Sequence, residues 1–569
     1  MFDYIIVGGG SAGCVLASRL SEDPQIRVAL LEAGPPDKSV LIHCPAGLAV
    51  MAKFELNAWG YNTVPQPGLN GRRGYQPRGK VLGGSSSINA MIYTRGHASD
   101  YDAWAAQGNA GWSYADVLPY FKRAEHNERG ADALHGQGGP LNVMDLRSPN
   151  PLLPAFIEAC VQAGHPLNRD FNGPEQWGVG VYQVTHRNGE RFSAAKAYLT
   201  PHLGRPNLQV ITHALTTRVV TEREGEGGVL RAVAVEVRGN GGRGPLQIVR
   251  LKEGGEVVLS AGAFGSPQLL MLSGIGPADH LREHGIEPVH DMPGVGQNLQ
   301  DHVDVVVVVD TPKVIDLLGL SITGVARVVR GISEWRRQRS GILTTNFAEA
   351  GGFVKSAPEE PIPDLQLHFV VGKMVDHGRK TELGHGFTCH VCLLRPKSRG
   401  SLRLADADPQ SAPLIDPAFL VDADDVSRLV QGVKQMRQVL QQPALARYGG
   451  TESAASAQAQ SDAQIEQFVR NHADTIYHPV GTCRMGSTAT DVVDARLRVH
   501  GVQGLRVVDA SVMPDLVGGN TNAPVIMVAE RAVDMMRADR FGHTHSHQDQ
   551  HHDSRTRGHP HRPQQERSL

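Results

Sequence analysis

The sequence predicts an α/β fold whose first unit is a parallel sheet covered by helices. Residues 4–7 (YIIV) form a short β-rich run typical of a buried parallel strand. A glycine-rich turn, residues 8–13 (GGGSAG), follows at once and leads into a helical segment over residues 14–20. A second strand-like run, residues 27–31, ends in Glu32. Strand, glycine turn, helix, strand and acidic residue in this order indicate a Rossmann-type dinucleotide-binding unit.

Each glycine of the turn has a separate physical role. In G-x-G-x-x-G spacing, Gly8 permits the tight turn, Gly10 lets the backbone approach a pyrophosphate, and Gly13 lets the helix pack on the strand. The helix N-terminus then presents free N–H groups to the phosphates, and Glu32 is placed to bind a ribose hydroxyl. Glycine makes up 64 of 569 residues, so the motif alone is weak and a ligand-free turn is the alternative; the flanking elements favour a dinucleotide. We expect contacts with it from Gly8, Gly10, Ser11, Gly13, Glu32 and Ala33.

Length, composition and charge restrict the class of protein. A chain of 569 residues predicts two or more core-forming units. Hydrophobic residues make up 40% and charged residues 20%, the balance of a globular protein. The net charge is −2, so we expect no nucleic-acid partner. No apolar run approaches the ~20 residues that span a bilayer, and residues 1–3 lead straight into a strand without a basic region. These features predict a cytoplasmic protein.

The cysteines indicate neither a disulfide framework nor a metal site. Six cysteines are scattered over a long chain. Cys389, His390 and Cys392 are the nearest approach to a metal motif, but no second pair follows at zinc spacing. Because they lie in an alternating run, residues 387–394, we interpret that run as a strand and expect no bound metal.

Further motifs follow in order along the chain and carry a family resemblance. They are residues 79–90 (GKVLGGSSSINA), 262–276 (GAFGSPQLLMLSGIG), 477–486 (YHPVGTCRMG), 508–511 (VDAS) and 519–524 (GNTNAP). With the glycine turn, this set resembles the glucose–methanol–choline (GMC) oxidoreductases. The resemblance implies a Rossmann-type FAD-binding domain joined to a discontinuous α+β substrate-binding domain built on an antiparallel sheet.

The resemblance also implies that the dinucleotide is FAD rather than NAD. The small residues Gly83, Gly84 and Ser85 suit backbone lying against a flat ring, although a flexible loop is the alternative for this stretch alone. In the family this segment lines the isoalloxazine, and the residue matching Asn89 contacts it. Some relatives have a histidine one position earlier that bonds covalently to the flavin; Ile88 stands there, so we expect non-covalent FAD. The resemblance adds further expected contacts from Asp509, Ala510 and Asn522.

Two residues are expected to carry the chemistry of alcohol oxidation. Removing a hydroxyl proton at neutral pH suits histidine, and His478 matches the family's catalytic histidine. A histidine in such a turn, taken alone, is more often structural. Asn520 occupies the family's second catalytic position, where its amide would donate to the substrate oxygen; a turn residue is the alternative. The resemblance implies that His478 takes the proton while N5 of the flavin accepts the hydride.

The resemblance implies that both domains are discontinuous. We expect the FAD-binding domain over residues 1–155, 197–305 and 475–538, and the substrate domain over residues 156–196 and 306–474. Sequence patterns support the return of the chain: residues 505–509 resemble a buried strand, and residues 523–536 have helical apolar spacing. The tail, residues 539–569, is rich in histidine and nearly without apolar residues, so we expect it to be disordered.

An apolar but interrupted segment, residues 314–335, carries Arg327 and Arg330 and runs into a basic stretch, residues 336–339. One interpretation is peripheral docking on the inner face of the cell membrane, which would suit an enzyme that reduces a membrane quinone. The other, which we favour from the sequence, is a helical lid over the substrate pocket with a solvated basic edge.

Four further runs, residues 33–35 (AGP), 70–72 (NGR), 95–97 (RGH) and 396–400 (PKSRG), resemble those of alcohol dehydrogenases from alkane-degrading bacteria within the family. This implies oxidation of a primary, medium-chain aliphatic alcohol to the aldehyde, with electrons passed to a quinone or an electron-transfer protein. Choline oxidation is the alternative; a cationic substrate would want an aromatic cage and a carboxylate, for which Glu349 is the candidate. An alcohol oxidase, a hydroxynitrile-lyase-like enzyme and a non-catalytic flavoprotein are further alternatives.

Overall fold

The computed structural model describes residues 1–541 except 149, 224, 226, 227, 312–317 and 381. The strands are β1 Phe2–Val7, β2 Val28–Leu31, β3 Tyr61–Asn62, β4 Tyr75–Gln76, β5 Glu125–Asn127, β6 Leu141–Asp145, β7 Gly178–Val181, β8 Gln183–Val184, β9 His186–Arg187, β10 Glu190–Arg191, β11 Leu208–Ile211, β12 Leu215–Arg223, β13 Leu230–Arg238, β14 Leu246–Leu259, β15 Ile275–Gly276, β16 His290–Asp291, β17 Gln297–Leu299, β18 Val303–Asp310, β19 Ala348–Val354, β20 Leu365–Val370, β21 Gly386–Leu393, β22 Gly400–Arg403, β23 Leu414–Asp416, β24 Thr451–Glu452, β25 Asp474–Thr475, β26 Val502–Gln503 and β27 Leu505–Val507. The helices are α1 Ser11–Leu20, α2 Val40–His43, α3 Gly47–Lys53, α4 Ala98–Ala106, α5 Tyr114–Ala124, α6 Leu152–Gln162, α7 Gly262–Leu272, α8 Ala278–Glu283, α9 Ile322–Gln338, α10 Ala423–Leu440, α11 Pro443–Ala446, α12 Ala454–Ala457, α13 Asp462–His472 and α14 Asn522–Phe541.

The largest sheet carries the predicted dinucleotide-binding unit. Its strand order is β11-β2-β1-β14-β13-β12, with β27 beside β14 and β26 beside β13. Strands β11, β2, β1, β14 and β27 run parallel to one another, as buried runs of Val, Ile and Leu predict. Strand β27 pairs with β14, and α14 packs against α1, so residues near the C-terminus join the same sheet as the N-terminal strand.

A second sheet is antiparallel, as expected for the substrate domain. Its order is β24-β18-β21-β20-β19-β7, with β25 also pairing with β18. Cys389 and Cys392 lie on β21, so the strand interpretation of that segment is confirmed. The α/β fold class with an added antiparallel sheet is therefore confirmed.

The chain passes between the two sheets more than once. Strand β7 enters the second sheet from the segment 156–196, while β18 begins at Val303, two residues before the expected boundary at 305. Helix α14 ends at Phe541, so residues 539–541 of the expected tail are helical, and residues 542–569 lie outside the described residues.

Among the residues that the structure describes, no helix has both the length and the apolar character needed to cross a bilayer. All six cysteines are free and buried.

Candidate functional site

A cavity of about 800 Å³ is lined by residues of both sheets. At one end it reaches the carboxyl ends of β1 and β2 and the N-terminus of α1, where ligands bind in open α/β sheets. At the other end it reaches β20 and β21 of the antiparallel sheet. The cavity therefore connects the place where a dinucleotide would bind with residues of the antiparallel sheet.

The glycine turn has the geometry that a pyrophosphate cradle needs. Gly8 has φ +101°, a conformation that favours glycine, and a Cβ on Gly13 would lie 1.9 Å from the carbonyl oxygen of Gly8. At Gly10, by contrast, the nearest atom to a Cβ is 3.9 Å away, so the space over this residue is open. Gly8, Gly10 and Ser11 line the cavity, whereas Gly13 serves the packing of α1 on the strand.

Glu32 lies at the end of β2, with Ala33, and both line the cavity. Its carboxylate accepts hydrogen bonds from the backbone N–H of Gly9 (2.8 Å) and of Gly34 (2.7 Å). Burial raises the pKa of Glu32 to about 7. Each oxygen keeps a lone pair for a further donor, which fits the expected contact with ribose hydroxyls.

The predicted ring-binding loop lies directly against the glycine turn. Gly84 has φ +54°, and a Cβ there would be 2.7 Å from Cα of Gly10. Gly84, Ser85, Ile88 and Asn89 line the cavity, whereas Gly83, with φ +88°, shapes the turn behind them. The side-chain oxygen of Asn89 accepts from Nη1 of Arg191 at 2.8 Å, which holds its orientation.

Residues of the last strand and helix complete this end of the cavity. Asn522, at the start of α14, accepts a hydrogen bond from Oγ of Ser11 at 2.7 Å. Asp509 accepts from the backbone N–H of Gly262 and from Oγ of Ser266, so it anchors the start of α7. Asp509, Ala510 and Asn522 all line the cavity.

His478 faces the opposite part of the cavity, on a strained turn. Tyr477 has φ +81°, which is rare for a residue other than glycine. Two hydrogen bonds hold this turn: the backbone N–H of His478 donates to Asp301 (2.8 Å), and Arg78 donates to the carbonyl of Tyr477 (2.7 Å). The backbone that carries the ring of His478 is therefore fixed by polar side chains.

A neighbouring histidine, His302, determines which ring nitrogen of His478 is basic. Nε2 of His302 lies 3.1 Å from the carbonyl oxygen of Leu394, which can only accept, so this nitrogen carries the proton. Burial lowers the pKa of His302 to about 3, so its ring is neutral and its Nδ1 is an acceptor. The two Nδ1 atoms of His302 and His478 lie 2.9 Å apart. His478 must therefore donate from Nδ1, which leaves a lone pair on Nε2.

The electrostatic surroundings keep His478 neutral. Burial, followed by the nearby His302, Arg78 and His368, lowers the pKa of His478 well below its usual value. A neutral imidazole with its lone pair on Nε2 is the form that accepts a proton. Nε2 is thus prepared to act as a base at neutral pH.

Asn520 lies beside this lone pair, with its amide nitrogen 3.2 Å from Nε2 of His478. Its orientation is set by two donors, since Oδ1 accepts from Oγ1 of Thr94 (3.1 Å) and from Nε2 of Gln366 (3.3 Å). One N–H of Asn520 therefore donates to Nε2 of His478, and its second N–H can donate to an oxygen in the cavity beside His478.

Sequence reasoning did not assign three histidines to this end of the cavity. His302 lies behind His478, while His368 on β20 and His390 on β21 line the cavity. Among the described residues, Nδ1 of His368 and Nε2 of His390 have no hydrogen-bond partner. A sequence signal for His368 was available, because residues 365–370 (LQLHFV) place two polar residues, Gln366 and His368, within an apolar strand.

The apolar, basic segment of the sequence forms helix α9, Ile322–Gln338, and Val328 lines the cavity. Residues 314–317 of that segment lie outside the described residues.

Across the described ranges, no group of three or more His, Cys, Asp or Glu side chains is placed to hold a metal ion.

Comparisons with known proteins agree with this geometry. Family profiles described as GMC oxidoreductase match residues 2–304 and residues 396–529. An alcohol dehydrogenase (acceptor) from Pseudomonas putida is 47% identical, covering 94% of this chain and 96% of its own. A mitochondrial choline dehydrogenase from Mus musculus is 45% identical, with 94% and 89% covered. The structure of an FAD-dependent oxidoreductase from Chaetomium thermophilum superposes with a TM-score of 0.86 at 26% identity, covering 95% of this chain and 100% of that chain.

Proposed function

The chain belongs to the GMC oxidoreductase family, and from this we propose that it oxidises a primary alcohol to the aldehyde on a non-covalently bound FAD. The observation that carries the proposal is the lone pair on Nε2 of His478, which faces the same cavity as the glycine cradle. A base and a dinucleotide site that share one cavity are what alcohol oxidation by a flavin requires.

The residues present fit FAD. Gly10 leaves open space over the N-terminus of α1 for a pyrophosphate, and Glu32 has free lone pairs for ribose hydroxyls. The ring-binding loop, with Gly84 against Gly10, places small residues and Asn89 along the cavity wall. Ile88 lines the cavity without a nucleophile, which supports non-covalent binding. When bound, the flavin supplies a two-electron acceptor for the hydride.

His478 and Asn520 divide the remaining chemistry between them. Nε2 of His478 takes the hydroxyl proton, and the amide of Asn520 donates to the oxygen as negative charge develops on it. His368, with its unpartnered Nδ1 among the described residues, is a third polar group within this end of the cavity. The buried Asp301 positions His478 by accepting from its backbone N–H and does not itself line the cavity.

We propose a medium-chain aliphatic alcohol as the substrate and a quinone or an electron-transfer protein as the acceptor. Apolar residues such as Ile92, Met374 and Val370 line the cavity near His478. Glu349, the acid that a choline site would need, is buried outside the cavity lining, and burial raises its pKa. These two features favour an aliphatic alcohol over choline, which remains the second candidate because of the choline dehydrogenase relatives.

The test is the visible spectrum of the purified flavoprotein without oxygen, before and after addition of 1-octanol, with choline added in parallel. We expect octanol to bleach the ~450 nm flavin band, because hydride transfer reduces the flavin. His478→Ala should retain the yellow flavin and lose the bleaching, while His472→Ala, at an exposed histidine of α13, should behave as the wild type.

Other results of this spectroscopic test would point to a different substrate or reaction. Bleaching by choline alone would replace the aliphatic substrate with choline. A flavin that dithionite reduces but neither alcohol bleaches would refute the substrate class and favour a lyase-like activity. Rapid oxygen consumption during turnover would identify an oxidase instead of a dehydrogenase.

A further inference from the structure

The mouth of the cavity is surrounded by exposed apolar side chains. Five apolar residues both line the cavity and are exposed to solvent at this mouth: Val50, Phe54, Leu56, Leu320 and Val328. They come from three separate segments, namely α3 with the residues after it, the loop before α9, and α9 itself. Phe54, 65% exposed, is the largest of them. Three exposed charged residues, Lys53, Lys380 and Glu382, also line the cavity, so the mouth combines a group of apolar side chains with charged ones.

Helix α9 extends the apolar surface away from the mouth. Ile322, Val325, Val329 and Ile332 recur at spacings of three and four residues and therefore share one face, and each is exposed. Ile322 is 93% exposed and Val329 is 61% exposed. We call these four residues of α9, together with the five apolar residues at the cavity mouth, the mouth surface. The apolar stripe of α9 thus points outward, the reverse of a helix that covers a core.

The opposite face of α9 is fixed against the protein. Trp335 is buried against Cys44 and Leu343, and its indole N–H donates to the carbonyl of Gly189 at 2.8 Å. A Cβ on Gly331 would lie 3.0 Å from the side chain of Ile342, so the helix approaches closely there. Rotation of α9 to bury its apolar stripe would break these contacts. The outward stripe is therefore a stable feature of the fold.

Basic residues accompany the mouth surface. Helix α9 contains four arginines and one glutamate, and Arg330, Arg336 and Arg337 are exposed. Lys53, at the end of α3, and Lys380 are also exposed, and Lys380 lines the cavity as well. An amphipathic helix with an aliphatic face and flanking arginines matches the chemistry of an anionic lipid surface. A two-fold contact between copies of this chain would instead bring α9 arginines together, which is unfavourable.

We propose that the mouth surface docks on an anionic lipid bilayer, so that the cavity opens into the lipid. Its apolar side chains enter the boundary between headgroups and acyl chains, while the arginines contact lipid phosphates. The sequence favoured a lid role for this helix; Val328 keeps contact with the cavity, but the exposed stripe adds the docking role. Delivery of an amphiphilic alcohol and a quinone-type acceptor from the bilayer rests on the proposed function, whereas docking itself does not.

The experiment is flotation of the flavin-loaded full chain with phosphatidylcholine vesicles, with and without phosphatidylglycerol, in the absence of alcohol. We expect binding that requires phosphatidylglycerol and weakens with salt. Val329→Asp should reduce the bound fraction by roughly tenfold, because a charge replaces an apolar group at the lipid boundary. The matched control is Val421→Asp, since Val421 is 63% exposed but lies outside the mouth surface.

Several results would overturn the proposal. The proposal is refuted if the wild type does not bind phosphatidylglycerol vesicles. It is also refuted if Val329→Asp and Val421→Asp bind these vesicles equally well. Sedimentation showing a dimer that Val329→Asp dissociates would identify the surface as a contact between copies. Reduction of the flavin by a water-soluble alcohol should be equal in both variants, so a failure of docking is distinguishable from a failure of the proposed activity.

Discussion

The chemistry proposed for this protein depends on one lone pair, that of Nε2 of His478. The carbonyl of Leu394 fixes the proton of His302, and His302 in turn fixes the proton of His478. Asn520 is oriented in the same way, by Thr94 and Gln366. The base and the amide donor are therefore positioned before any substrate enters, which is how electrostatic preorganisation lowers a barrier.

His302→Leu should lower the rate of flavin reduction by roughly 10²-fold, because Nδ1 of His478 loses its acceptor and the wrong tautomer becomes populated. His302→Asn, which restores an acceptor oxygen, should recover part of that rate. The measurement is anaerobic stopped-flow reduction at saturating alcohol, with the melting temperature and flavin content of each variant as controls. If both variants reacted equally fast, the positioning role of His302 would be refuted.

The pH dependence follows from the lowered pKa of His478. Protonation of Nε2 removes the base, and a lowered pKa moves this loss to more acidic solution. We expect kcat/KM to stay constant as the pH falls to about 6.5, the usual pKa of histidine, and to decline only below it. An inflection of the wild-type kcat/KM profile above pH 6.5 would contradict a neutral, desolvated base. His478→Ala is the control, because an inflection that belongs to His478 should be missing from its residual activity.

At the scale of elements, the strand–turn–helix unit of β1 and α1 separates two roles of glycine. Gly13 is needed by the folded protein, since a Cβ there would lie 1.9 Å from the carbonyl of Gly8. Gly10 has open space over it, and only a bound phosphate would fill that space. The same short segment thus holds one residue for packing and another for the ligand.

Gly13→Ala and Gly10→Ala should therefore have different effects. Gly13→Ala should destabilise the flavin-free protein by about 1–3 kcal/mol through overpacking. Gly10→Ala should change that stability by less than about 0.5 kcal/mol and yet weaken FAD binding by roughly tenfold or more, because the methyl group occupies the cradle. Denaturant unfolding of the apoprotein and titration with FAD measure the two effects. Equal FAD affinity for Gly10→Ala and the wild type would place the pyrophosphate elsewhere.

At the scale of the whole molecule, the two ends of the described chain are joined by a buried carboxylate. Glu530 of α14 is fully buried and contacts Arg19 of α1 (2.9 Å), Arg123 of α5 (2.8 Å) and the hydroxyl of Tyr198 (2.8 Å). Helix α14 also begins at Asn522, which lines the cavity. The contact therefore holds the C-terminal part of the site on the N-terminal sheet.

Glu530→Gln should destabilise the protein by about 3 kcal/mol, since two arginines lose their buried partner. FAD affinity should fall as well, because α14 carries Asn522 to the cavity. The matched control is Glu128→Gln: its partner Arg147 is 68% exposed, so its loss should cost less than about 1 kcal/mol. Chemical denaturation and FAD titration report both values, and an equal loss in the two variants would argue against the joining role.

Local patterns were sufficient for much of the fold. The β1–turn–α1–β2 unit was predicted because two apolar β-rich runs, the glycine spacing and the acidic residue all lie within 32 consecutive residues. The strand predicted over residues 505–509 is β27 at Leu505–Val507, and the helix predicted over residues 523–536 is α14 at Asn522–Phe541, because both also rest on local apolar patterns. The expected site residues were identified by motif, and their roles remain predictions that the variants above test.

The sequence by itself determined the α/β class, the dinucleotide-binding turn and the candidates His478 and Asn520, because each depends on neighbouring residues. Only the tertiary structure decided which histidines surround the base and which face of α9 is exposed. His302 and His478 are 176 residues apart, and they meet only because β18 and β25 pair. Likewise, the outward direction of the apolar stripe depends on the packing of Trp335 against Cys44, which no local pattern encodes. Contacts between distant segments are set by the packing of the whole chain, and the periodicity of any one segment does not contain them.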